Sequence, residues 1–158
     1  MKPIALLTIP LLLANHAAFA GSIDGNGALA LAALVAEPSP NVPASDKIVL
    51  AKFLNGQTSV PYAPNKKITV AAAAVTCRAS DVDITQHSCD LTFGAKKGAT
   101  HGRKAHELYA TLAEVGVPPD GAAGSIFEAV SNFDCTIDPG EVKQKAGGGA
   151  HCTFAPAK

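Results

Sequence analysis

The sequence predicts a small α+β domain, an (α-β-β)2 arrangement in which a four-stranded antiparallel sheet carries helices on one face and a disulfide closes each hairpin. Three observations predict it: two helical runs each followed by an extended run, four cysteines spaced as two pairs, and a partial match of the chain to itself.

The amino terminus stands apart from that unit. Lys2 is followed by an apolar run from Ile4 to Leu13 and by Ala18-Phe19-Ala20, the charged start, short apolar stretch and small-x-small end of a secretory signal peptide. The apolar run is shorter than the ~20 residues that a membrane-spanning helix needs. Residues 1–20 are therefore expected to be removed after Ala20, delivering a periplasmic or secreted chain with no membrane span. Residues 21–44 are rich in Gly, Ala and Pro around one apolar island, Ala28 to Ala36, and read as a flexible tether. A single domain is then expected over 45–158, composed of pseudo-repeats at 46–94 and 103–155.

Shifting the chain by 58 residues places Leu50 on Leu108, Leu54 on Leu112, Pro61 on Pro119, Ile68 on Ile126, Ala71 on Ala129 and Cys77 on Cys135, six identities across positions 46–77. Both halves close alike, with Leu91-Thr92-Phe93 after Cys89 and Thr153-Phe154 after Cys152. Within the first half, Ser45 or Asp46 caps a helix bearing Val49, Leu50, Phe53 and Leu54, with Gly56 near its end. Lys67 to Cys77 has β-branched residues at both ends and reads as a strand. In the second half, Ala105, Leu108, Tyr109 and Leu112 recur at helical spacing over 103–115. Gly116 suits the left-handed position after that helix, and Pro118-Pro119-Asp120-Gly121 forces a turn. Ser125 to Glu128 fits a helical capping box, yet Phe127, Ala129, Ser131, Phe133 and Cys135 alternate as one strand face, and the repeat favours strand. Asp138-Pro139-Gly140 and Gly147-Gly148-Gly149 are loop signals before the last strand.

Cys77, Cys89, Cys135 and Cys152 are an even set in a small exported chain and read as two disulfides, with local pairing favoured if the members of each pair face one another across a hairpin. Zinc suits the 12- and 17-residue spacings poorly, and no C-x-x-C is present.

Composition narrows the function. The 158 residues include 30 Ala, no Trp and only six Phe, with 13 basic and 13 acidic side chains. Loss of Lys2 leaves the exported chain near neutral, which argues against nucleic acid or anionic lipid as a partner. The pairs Lys66-Lys67 and Lys96-Lys97 fit solubility and the blunting of sheet edges. No G-x-S-x-G elbow occurs, and Gly121 to Ser125 resembles one only in composition. Asp81, Asp83 and Asp90 do not form a calcium-loop pattern. With no catalytic constellation and no cofactor motif, the expected function is a small non-enzymatic binding or inhibitor-like protein. It would contact another envelope or extracellular protein through the sheet face or the Gly-rich loops. The alternative is an envelope metal-binding protein using His87, His101, His106 and His151.

Overall fold

A computed structural model describes residues 21–57, 59–63, 65–80, 82–116, 126–145 and 147–156. The elements are β1 (Gly21–Asp24), α1 (Gly25–Ala36), α2 (Ala44–Leu54), β2 (Ile68–Ala79), a 3-10 turn (Ile84–Gln86), β3 (Ser88–Phe93), β4 (Lys96–His101), α3 (Gly102–Glu114), β5 (Ile126–Ile137), α4 (Pro139–Gln144) and β6 (Ala150–Pro156). The six strands form one antiparallel sheet in the order β1-β6-β5-β2-β3-β4. The class is α+β, but the expected four-stranded sheet is corrected to six: β1 and β4 extend its two edges.

β2 and β5 are the central pair and cover the same 12-residue window shifted by 58, as the self-match implies. Their register joins Ile68 to Ile137 and Ala79 to Ile126, so a local two-fold axis passes beside Ala73–Ala74 and Ser131–Asn132. Alternation slips by one residue there in both strands. Ile68, Val70 and Ala72 point to the core on one side of the slip and Val75, Cys77 and Ala79 on the other; Asn132 takes up the change with φ 52°. Asn is among the few residues that tolerate that conformation.

The helices do not repeat as the sequence reading expected, with the helix at 45–54 matching the one at 103–115. The partner of α3 is α1, at a shift of 77. Gly25 and Gly102 both open a helix at positive φ, 71° and 60°, directly after an edge strand. Ala28 and Ala105, Leu31 and Leu108, and Val35 and Leu112 are matching, fully buried pairs. At this shift, residues 21–36 and 98–113 share Gly21/Gly98, Gly25/Gly102, Ala28/Ala105, Leu31/Leu108, Ala33/Ala110 and Ala36/Ala113, six identities in a window half as long as the first. The repeating unit is therefore β-α-β-β. The first unit is β1-α1-β2-β3 with α2 inserted before β2, and the second is β4-α3-β5-β6 with α4 inserted in its hairpin. The leading strand of each unit pairs with the other unit: β1 lies on β6 and β4 on β3.

Residues 21–44 are thus an integral part of the domain rather than a tether. α1 buries Ala28, Leu29, Leu31, Ala32, Val35 and Ala36 because the sheet lies on one side of it and α2 and α3 pack against it as well. A helix covered on several sides needs no polar stripe, which is why its sequence shows none. Pro38, Pro40 and Pro43 form the turn into α2. Neither Ser45 nor Asp46 caps α2; Pro43 precedes it and its carbonyl accepts from the Asp46 and Lys47 amides. Lys47 Nζ donates to the Glu37 and Ser39 carbonyls at 2.8 and 2.7 Å, placing a cation at the negative end of α1. Asp138-Pro139-Gly140 starts a helix rather than a loop. The Asp138 carboxylate accepts from the Gly140 and Glu141 amides, and Pro139 suits a first turn, whose amide needs no helical partner.

Cys77 is bonded to Cys89 and Cys135 to Cys152, each pair directly opposite in register with Cα atoms 4.0 Å apart. Each disulfide lies under the helix of the other unit. Cys89 Sγ is 3.5 Å from the Ala105 carbonyl oxygen and Cys152 Sγ 3.3 Å from that of Ala28, again positions related by the shift of 77. Two disulfides in so small a domain fit an oxidising compartment. No helix among the described residues is long and apolar enough to cross a membrane.

Candidate functional site

The four histidines named from sequence do not meet. His151 Nδ1 lies 2.6 Å from Asp24 Oδ1 at the β1–β6 edge, and His101 is exposed at the end of β4. His87 and His106 do come together. The 3-10 turn is fixed by Asp83, whose carboxylate accepts from the Thr85 amide at 2.8 Å; that bond holds the Asp83 carboxyl below its ordinary value. The turn delivers His87 to the start of β3, where it is buried and its carbonyl accepts from the Gly102 amide that opens α3. One turn into α3, His106 points back at it. The two Nδ1 atoms are 3.1 Å apart and the ring centroids 4.8 Å. His87 Nε2–H donates to the Ser80 carbonyl at 3.0 Å, and Tyr109 stands edge-on to His87 with centroids 6.2 Å apart. Adjacency in sequence hid this pair, since the two residues are 19 apart and on different elements.

Glu128 is the second group that sequence reading missed. It is 1% exposed on β5, opposite Cys77, and its Oε2 has no hydrogen-bond partner among the described residues. Burial pushes its pKa up to about 7. The strand favoured by the repeat is present from Ile126, but its alternation slips at Asn132, so Glu128 and Val130, rather than Ala129 and Ser131, share the inner face with Phe133 and Cys135.

A cleft of about 430 Å³ between α1, α2 and α4 is lined by Asn26, Leu29, Phe53, Gln57, Val142 and Lys143. A shallower one of about 630 Å³ is lined by Asp24, Lys67, Asp138, Glu141, Lys145 and His151 around the glycines 147–149. Those glycines are there for close packing, since a Cβ on Gly147 would meet Asn26 at 2.3 Å and one on Gly149 would meet Glu141 at 2.5 Å. Lys66 pairs with Asp46 at 2.7 Å, while Lys96 and Lys97 lie exposed on the edge strand β4. Asp90 is exposed on β3, in register with Thr76 of β2 and Ala99 of β4; Asp81 and Gly121 to Ser125 lie outside the described residues. No group of three or more His, Cys, Asp or Glu side chains able to hold a metal is found among the described residues.

The sheet face turned away from the helices is exposed across its central strands. Thr69, Ala71, Ala73, Thr76 and Arg78 on β2, Asp90 on β3, Asn132 and Asp134 on β5 and Thr153 on β6 are all exposed. Comparisons of the chain with protein-family models, with curated proteins and with solved structures returned no match.

Proposed function

We propose that the chain is a non-enzymatic binding protein of the periplasm or the extracellular space. In this reading residues 1–20 act as a signal peptide cleaved after Ala20, and the partner is another envelope or extracellular protein. The observation that carries it is the uncovered face of the six-stranded sheet, whose short side chains leave the backbone close to the surface with both acidic and basic groups present. Near-neutral charge argues for a protein partner over nucleic acid. Disulfides and a doubly packed helix supply a rigid support for such a face.

The test is affinity capture from envelope extract by the oxidised protein, compared with the double variant Ala73→Arg/Thr153→Arg, whose circular dichroism is to match the parent. A protein retained by the parent and lost by the variant supports the reading. Equal capture by both, or none by either, overturns it.

A further inference from the structure

We propose that His87 and His106 form a binding site for one divalent d-block cation, Cu2+ foremost. The geometry of the two rings carries the inference. Two imidazoles placed symmetrically about a common point, each nitrogen about 1.15 Å from its ring centre, reproduce both the 3.1 Å and the 4.8 Å separations when that point lies about 2.1 Å from each nitrogen. That is a metal–imidazole bond length. The angle subtended there is about 95°, the angle between neighbouring ligands in the tetragonal geometry that Cu2+ favours.

A second observation concerns the tautomer. Because His87 Nε2–H is spent on the Ser80 carbonyl, its Nδ1 carries a lone pair directed toward His106. A histidine ligand that donates its other N–H to a backbone carbonyl is the usual arrangement around protein-bound metals. Without an ion, His106 Nδ1–H donates to His87 Nδ1. On binding, that proton passes to His106 Nε2, so both imidazoles ligate in the neutral form. Water completes the coordination, since no third His, Cys, Asp or Glu joins the pair among the described residues. His87 is held by the 3-10 turn and by the start of β3, and His106 by the first turns of α3, so the two ligands are positioned in advance.

The experiment is titration of the oxidised protein with CuCl2 and, separately, ZnCl2, followed by calorimetry and by electron paramagnetic resonance for copper. The expected result is one Cu2+ per chain, at least ~10-fold weaker binding in His106→Gln, and unchanged binding in His101→Gln and His151→Gln. Because His87 is buried and its replacement would disturb the fold, its part is read on the parent protein. Zn2+ is to shift the 15N resonances of both Nδ1 atoms in long-range proton–nitrogen spectra. No binding by the parent, equal binding by His106→Gln, or shifts confined to other histidines overturns the proposal. The site and the sheet face share no residue, so failure of either reading leaves the other standing.

Discussion

Glu128 occupies in the second β-α-β-β unit the position that Val70 occupies in the first. Each sits on a central strand beside a cross-strand disulfide: Val70 opposite Cys135, and Glu128 opposite Cys77. Both are buried, but one half fills the place with an aliphatic side chain and the other with a carboxyl group.

That substitution makes stability depend on pH in a defined direction. Below pH 4.5 Glu128 is protonated in both folded and unfolded chains. As pH rises from 4.5 the unfolded chain ionises first, and the folded form loses stability until its own carboxyl titrates at about 7. At ~1.4 kcal/mol per pH unit, the span amounts to about 3 kcal/mol. Urea denaturation between pH 4 and 8 in the presence of EDTA is expected to show this loss in the parent and not in Glu128→Gln.

Residues 21–36 are expected to be indispensable. Their deletion removes the partner of β6 and the helix over Cys152, so the shortened chain is expected to lose cooperative thermal unfolding and to bind anilinonaphthalene sulfonate. Leu31→Ala and Leu108→Ala, at matching positions, are each expected to cost ~2–5 kcal/mol in chemical denaturation. A tether would tolerate both the deletion and Leu31→Ala.

The disulfides close loops with sequence separations of 12 and 17 residues. Restriction of the unfolded chain makes each worth about 3 kcal/mol. The double variants Cys77→Ala/Cys89→Ala and Cys135→Ala/Cys152→Ala are expected to lose comparable stability in urea, and full reduction is expected to lower the midpoint further than either.

Gly25 and Gly102 each turn the chain from an edge strand into a helix at positive φ, with open space where a Cβ would stand at Gly102. Alanine at either is expected to cost about 1 kcal/mol through backbone conformation alone. Gly102→Asn is expected to cost less than Gly102→Ala, which thermal denaturation can resolve.

Much of the fold was legible where periodicity and cysteines coincide. β2, β5 and α3 follow from the alternation around Cys77 and Cys135 and from the helical spacing of Leu108 and Leu112. α1 was not legible from pattern because burial on several sides erases the polar stripe, and its many alanines read as low complexity. The shift of 77 held the information, but Gly and Ala identities weigh little until the two helices are seen over equivalent disulfides. The site was less legible. His87 and His106 are joined by the pairing of β3 with β4 and the turn into α3, and Glu128 faces inward because alternation along β5 slips by one residue at Asn132, which the sequence pattern does not show.

The exchange of leading strands also dictates an order of assembly. Among the described strands β1 pairs with β6 alone, so a chain emerging amino terminus first presents β1 about 130 residues before its partner exists. α1 meanwhile carries an apolar surface with nothing to lie on. The second unit suffers no such delay, because β4 follows its partner β3 within a tight turn. Sheet growth is thus expected to begin at the β3–β4 edge and to finish when the oldest segment of the chain meets the newest, leaving the nascent protein longest exposed at its amino-terminal helix.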